Sequence, residues 1–333
     1  MHHPPNQKIG WKRKDTGDLF SVGMLVREQY PHTKMIKKQK ILGNVGTLFY
    51  LILIGAFPPL STDLYLPALP QLADHLQTSQ TQVNHTLSWF FVVYASGLLF
   101  WGPLSEKYGR KKILFIGVFI YVFASILCAL SQNILQLTAS RILQAFGGSS
   151  ATVVSMAIIK DMFFGRQRER IMAIMMSLVT IAPIVAPVLG AVLLDYASWR
   201  ACFIVLAVIG IIVLVLTSLF EETLEERYEG SILSSWGRLL VVLKNTGFTY
   251  LLLTFSTLPM ALMAFLAASP FIYISGFGLS EKTFSYFLAF NALVGMIGPM
   301  LYMKLSVYYE PRTLVTAGFA AMVISGIGVI NLG

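Results

Sequence analysis

The chain has 333 residues, of which 56% are hydrophobic and only 12% charged, with a mean hydropathy of +0.69. A soluble domain carries roughly 25% charged residues, so this balance excludes a soluble enzyme or binding module and points to an integral membrane protein. The formal net charge of +9 does not indicate a nucleic-acid partner, because the basic residues sit in loops between apolar runs and form no contiguous aromatic-basic face.

Residues 1–42 hold nine lysines and arginines against Asp15, Asp18 and Glu28, without a periodic apolar face. They read as a disordered basic tail on the cytoplasmic side. The apolar run that follows is full length and lacks a small-residue cleavage pattern, which argues against a signal peptide. A bilayer core of ~30 Å needs about 20 apolar residues as helix. By that rule the sequence predicts nine spans, at 46–66, 83–103, 113–130, 135–159, 171–194, 202–220, 248–273, 284–303 and 314–332.

Orientation follows from the basic residues. With the N-terminus cytoplasmic, 22 of the 25 lysines and arginines fall on the inside. Outside lie Arg200 and Lys282, and Arg141 lies within a span. That asymmetry predicts an N-in, multi-pass protein. The longest inside connection divides the chain into a six-helix bundle at 43–220, a cytoplasmic linker at 221–246 and three further helices at 247–333. Within the linker, Ile232, Leu233, Trp236, Leu239, Leu240 and Leu243 make an amphipathic pattern suited to the membrane surface.

The hinge between the second and third spans is the most distinctive stretch. Glu106, Lys107, Arg110, Lys111 and Lys112 crowd into seven residues, bracketed by Gly102 and Gly109. Gly102 is expected to let the incoming helix approach a neighbour closely, and Gly109 to supply a turn that a side chain would resist. A solvated basic loop explains the lysines alone; it leaves the bracketing glycines without a reason.

Two charged residues stand inside predicted spans of the first bundle, Asp63 and Arg141. Asp63 lies about 15 residues past the cytoplasmic entry, or roughly 22 Å along a helix axis. A carboxylate withdrawn from water is costly unless it faces a cavity or a partner, and it can exchange a proton in the working pH range. The other reading is that Asp63 caps the helix end with its head among the outer headgroups. Arg141 cannot shed its proton, so it either has a buried role or snorkels to the outer interface. Span five carries Pro183, Pro187 and Gly190, a pattern that bends a helix and permits close packing. Tyr65, Asn84, Trp89, Tyr94, Met156, Phe265, Tyr273, Phe290 and Asn291 are candidate cavity residues by type alone.

Cys128 and Cys202 sit in apolar runs and read as buried free thiols. No metal spacing or G-x-x-x-x-G-K-[ST] phosphate loop occurs, so neither cofactor, metal nor enzymatic chemistry is expected.

The hinge Gly102-Pro103-Leu104-Ser105-Glu106-Lys107-Tyr108-Gly109-Arg110-Lys111-Lys112-Ile113-Leu114 resembles the loop between helices 2 and 3 of the major facilitator superfamily, with Glu106 where an aspartate is usual. Leu137, Arg141, Gln144 and Gly147 are similar to its fourth-helix arginine motif. Ala182, Ala186, Pro187, Gly190 and Ala191 resemble its fifth-helix antiporter motif, and Phe220-Glu221-Glu222-Thr223-Leu224 the segment after helix 6. Residues 61–70 and Trp199-Arg200 with Phe203 resemble the Bcr/CflA (bicyclomycin/chloramphenicol resistance) drug:proton antiporters. The repeat of Gly102-Pro103 as Gly298-Pro299 fits the family's duplicated six-helix halves.

The resemblance implies an all-α membrane fold whose second bundle has three of its six helices here. It implies proton-coupled efflux of small lipophilic or amphipathic drugs across the bacterial inner membrane. Asp63 and Arg141 would couple protons to substrate, while Glu106, Arg110, Lys111 and Asp161 would gate the inner face with Gly102 and Gly109. Pro183, Pro187 and Gly190 would seal against proton leak. Export of an endogenous metabolite and a non-transporting remnant are the alternatives, and nine spans would leave helix faces open to self-association.

Overall fold

The computed structural model describes residues 39–333 apart from 233–235, 238–240, 242–243, 306–307, 311–312, 322 and 324–333. Nearly all of the predicted tail, most of the amphipathic linker pattern and the later part of the ninth predicted span lie outside these residues. The described residues form helices and turns, with no strand among them. In chain order they are α1 (Gly43–Gly55), α2 (Phe57–Asp63), a 3₁₀ turn (Leu66–Ala68), α3 (Leu69–His75), α4 (Gln80–Tyr108), α5 (Arg110–Leu130) and α6 (Ile134–Met162). They continue with α7 (Gly165–Tyr196), α8 (Arg200–Leu219), α9 (Thr246–Pro270), which runs on as a π-turn (Phe271–Gly276), and α10 (Glu281–Leu305).

Among the described residues, five helical stretches are long and apolar enough to cross a membrane: Val45–His75, Gln80–Tyr108, Arg110–Leu130, Ile134–Met162 and Arg200–Leu219. They carry the first four predicted spans and the sixth. The fifth, seventh and eighth fall on α7, α9 and α10, of 32, 25 and 25 residues. The ninth begins in helix at 313–321.

The first span differs from its expected extent of 46–66, because the helical path continues to His75. Pro58 and Pro59 have no N–H to offer the carbonyls of Ile54 and Gly55, which breaks the path between α1 and α2. Pro67 and Pro70 occupy the first turns of the 3₁₀ segment and of α3, where a missing N–H costs nothing. The starts of α4, α6 and α9 are capped by neighbouring side chains. The Ser79 hydroxyl accepts from Gln82 N–H at 3.3 Å, and the Asn133 and Asn245 side-chain oxygens accept from Gln136 and Phe248 at 2.9 and 3.1 Å.

α6 lies at the centre, packed along both α4 and α5, with α8 antiparallel along the length of α5, from Arg200 at Ser131 to Ser218 at Lys111. Its run of small residues from Gly147 to Ala151 is wholly buried, which lets three helices lie close without side-chain interlocking. On α5, Phe115, Phe119, Phe123 and Ile126 recur at helical spacing and are all exposed, the expected lipid-facing stripe of a membrane helix. α10 packs along α7. At the end remote from the 104–112 hinge, Phe284 and Ser285 are fully buried. There the Ser285 hydroxyl donates to the Pro187 carbonyl at 2.9 Å, the Gln71 amide donates to Glu281 at 3.0 Å, and Lys282 faces Asp195 at 4.0 Å.

Candidate functional site

Arg141 is completely buried on α6, so it does not snorkel. Its Nη1 donates to the Ser61 carbonyl at 2.8 Å and to Gln144 Oε1 at 2.5 Å. The Gln144 amide passes the chain on to the Ser125 hydroxyl at 2.7 Å, and Ser125 donates to the Tyr121 carbonyl at 2.7 Å. The Tyr121 hydroxyl closes the ring against Ser61 Oγ at 2.7 Å, while its aromatic face stacks on Phe57. The polar ring therefore ties α2, α5 and α6 together through Arg141.

The rest of the guanidinium faces aromatic rings. Its carbon lies 4.1 Å from the Phe90 centroid and 4.5 Å from that of Tyr65, with Phe203 at 5.8 Å. Cation–π attraction compensates part of the desolvation of a buried arginine. It leaves Nε and Nη2 without a hydrogen-bond acceptor among the described residues, a rare condition for buried polar atoms.

Asp63 closes α2 two residues beyond Ser61 and is 4% exposed, so its head is not among the headgroups. Its carboxylate accepts from the Thr62 hydroxyl at 2.9 Å. No ion pair among the described residues involves Asp63. The acid and the arginine are thus held by one short segment, the arginine through the backbone at Ser61, without touching as a salt bridge.

This segment is pinned from the other side by α7. An added Cβ on Gly190 would land on the Leu64 carbonyl, so only glycine allows α7 to approach there. Ala186 and Ala191 are buried beside it, and Pro187 offers its carbonyl to Ser285. Pro183 lies on the same helix.

The hinge forms a second cluster. Arg110 Nε meets Asp161 at 3.0 Å and its Nη1 donates to Ser105 Oγ at 2.6 Å, which in turn donates to the Gly102 carbonyl. A Cβ on Gly102 would meet only Val153 at 3.6 Å, so close approach is not what calls for glycine there. Glu106 is exposed, and its carbonyl accepts from Tyr228 N–H at 3.0 Å. Lys111 Nζ donates to the Ser218 carbonyl and Lys107 Nζ to that of Gly230. The described contacts of this cluster join α4, α5 and α6 to residues 218–230 rather than to α9 or α10.

The residue that organises the hinge is one that sequence reasoning quoted but did not select. The Glu222 carboxylate accepts backbone N–H groups from Arg110, Lys111, Thr223 and Leu224 at 2.9 to 3.2 Å. α5 has no cap of its own, because its N-cap is Gly109 at φ 101° and ψ 148°. Glu222 therefore caps α5 from 111 residues away, complementing the positive end of the helix. Gln144, Ser61, Ser125 and Tyr121 were likewise not selected. Gln144 stands in the arginine motif and Ser61 opens the 61–70 stretch, whereas the signal in sequence for Tyr121 and Ser125 is polarity inside an apolar run.

The candidate cavity residues scatter. Tyr65 lies under Arg141 and bonds Thr86 at 3.2 Å, Tyr94 bonds Thr152 at 2.6 Å, and Asn84 Oδ1 is buried without a partner among the described residues. Trp89, Phe265, Phe290 and Asn291 are exposed. Tyr273 packs against Phe277, Phe284 and Phe287. Cys128 and Cys202 are free and buried.

The Major Facilitator Superfamily model matches residues 51–333. An uncharacterized MFS-type transporter, YdgK of Bacillus subtilis, is 33% identical over 85% of this chain and 72% of its own. A bicyclomycin resistance protein homolog of Haemophilus influenzae is 27% identical over 86% of this chain and 73% of its own. Among solved structures, a bacterial homolog of the human lysosomal transporter Spinster aligns with a TM-score of 0.62 at 19% identity, over 79% of this chain. The chain spans 63% of that structure, less than two thirds of its length. The all-α architecture and the extent of the family match agree, and the chain is a multi-pass membrane protein that belongs to the major facilitator superfamily, a family of transporters rather than enzymes.

Proposed function

We propose that this chain exports small lipophilic or amphipathic compounds across a bacterial inner membrane in exchange for protons, with its N-terminus in the cytoplasm. The observation that carries the reading is Asp63, a buried acid without a counter-ion among the described residues, held on the segment that also anchors the fully buried Arg141. A carboxylate so placed is expensive when charged, and a proton arriving from outside relieves that cost. Substrate with cationic or amphipathic character competes for the same charge. The bicyclomycin resistance name of a relative, together with the Bcr/CflA-like stretch at 61–70, supports a drug-like substrate class.

Alternating access would rock the helices of 43–220 against those beyond 246. In the described geometry the two sets meet at the end remote from the hinge, through Gln71 with Glu281, Asp195 with Lys282 and Pro187 with Ser285. Opening to the outside would break these contacts and bring the hinge end of the two sets together. Arg110, Asp161 and Glu222 keep the hinge rigid while it moves. The seam of α7 on α2 at Gly190 would stay shut throughout, limiting proton leak past Asp63.

The direct test is efflux of a fluorescent lipophilic cation from cells expressing the chain, with and without an uncoupler. Efflux abolished by the uncoupler supports the reading. Efflux that continues at the same rate without a proton gradient overturns the coupling.

A further inference from the structure

A groove of about 410 Å³ lies between the hinge ends of α4 and α5, within the range of roughly 300–1,000 Å³ typical of small-molecule sites. Its floor is Trp101 and Phe146, and the Trp101 indole N–H is already spent on the Phe146 carbonyl at 2.7 Å, so the floor offers no free donor. Phe100, Leu104, Ile113 and Ile116 line the groove together with Tyr108 and Lys112, and the Phe100 ring also packs on Trp236 at 5.8 Å. Ile116 and Tyr108 are 39% and 43% exposed, so the groove opens outward from the helix pair.

The charges around it decide what fits. Of the four cations in the hinge, Arg110 is paired with Asp161, Lys111 is bound to the Ser218 carbonyl, and Lys107 to that of Gly230. Lys112 is exposed and makes no hydrogen bond or ion pair with any described residue. Among the described residues Lys112 is therefore the hinge cation without a partner, and it lines an apolar groove between two membrane helices, beside a tyrosine of the kind that marks the lipid–water boundary. A free anion would satisfy Lys112 but leave the groove unexplained. A neutral lipophile would fill the groove but ignore the charge.

We propose that this groove is a binding site for an acidic phospholipid of the leaflet that meets the hinge. The headgroup phosphate sits on Lys112 and Tyr108, and an acyl chain lies over Trp101, Leu104 and Ile116. The site requires only that α4 and α5 span the bilayer, so it stands independently of whether the chain pumps drugs.

Native mass spectrometry of the full chain from mild detergent, titrated with phosphatidylglycerol and with phosphatidylcholine of the same acyl chains, tests this. Phosphatidylglycerol should bind more tightly. Lys112→Ala should weaken it about fivefold, the effect of one basic residue at an anionic surface, and leave phosphatidylcholine unchanged. Ile116→Trp, which fills the groove, should weaken both lipids, and inorganic phosphate should not compete. Lys160→Ala, removing an exposed cation away from the groove, should change nothing. Equal losses in Lys112→Ala and Lys160→Ala would reduce the effect to general surface charge and overturn the site. So would phosphatidylglycerol affinity untouched by both Lys112→Ala and Ile116→Trp.

Discussion

Glu222 and Gly109 should behave as one unit. Replacing Glu222 by alanine removes the acceptor of four backbone N–H groups, two of them at the start of a helix with no cap of its own. Loss of a cap costs ~1 kcal/mol and loss of the anion at a helix N-terminus ~0.3–1 kcal/mol. With the 223 and 224 amides also released, the expected destabilisation is about 2–3 kcal/mol. Gly109→Ala carries two separate penalties. The backbone region at φ 101° and ψ 148° is all but closed to other residues, a strain of ~1–3 kcal/mol. The new methyl would also run into the Glu222 carboxylate, an overpacking cost of ~1–3 kcal/mol. Only the strain survives once Glu222 is gone. The double variant should therefore be more stable than the sum of the single losses predicts, by about 1–3 kcal/mol. Unfolding of the four proteins in one detergent measures this, with hydrogen exchange across 105–112 locating it. Additivity within ~0.5 kcal/mol would refute the cap, because independent sites add to that precision.

Three further outcomes follow from other contacts. Gly190→Val should drive a side chain into the Leu64 carbonyl, lower thermal stability by roughly 1–3 kcal/mol and impair transport; an unchanged melting temperature would mean that α7 can retreat from α2. Arg141→Lys removes the single nitrogen that bridges the Ser61 carbonyl and Gln144, and should cut efflux at least tenfold (~1.4 kcal/mol) with expression maintained, so full-rate efflux would contradict the ring. Joining Gln71→Cys to Glu281→Cys by oxidation should arrest transport until reductant is added. The native cysteines are buried and should not interfere, and undiminished transport by the fully cross-linked protein would show that this end need not open.

Much of the fold was legible because the bilayer imposes a length on apolar segments, and long helices at the predicted positions are the direct result. Arg110 and Asp161 were legible as an inner-face cluster through the resemblance of the hinge, which grouped them with Glu106; the ion pair joins Arg110 to Asp161, and Glu106 is exposed. The continuation of the first helical stretch to His75 was not, since prolines read as stops when their position within a turn is unknown. Glu222 was hidden for a different reason. It serves a helix 111 residues earlier in the chain, and nothing in its neighbours reveals that Gly109 leaves α5 uncapped. The ring through Ser61, Tyr121, Ser125 and Gln144 is likewise a tertiary fact, since the motif around Arg141 includes Gln144 but does not point to Tyr121 or Ser125 on another helix. The separation of Asp63 from Arg141 was also out of reach, because the two opposite charges within the spans of the first bundle suggest a salt bridge, whereas the arginine takes a backbone carbonyl and three aromatic faces instead.

The central claim is that Asp63 couples protons to substrate, and reconstituted vesicles test it most directly. Purified chain and its Asp63→Asn variant would be compared for substrate uptake driven by an imposed pH gradient and for exchange of labelled substrate without one. The variant should lose gradient-driven accumulation yet retain exchange, since the substitution leaves the rocking of the two helix sets untouched. Accumulation by Asp63→Asn at the rate of the unaltered protein would contradict it.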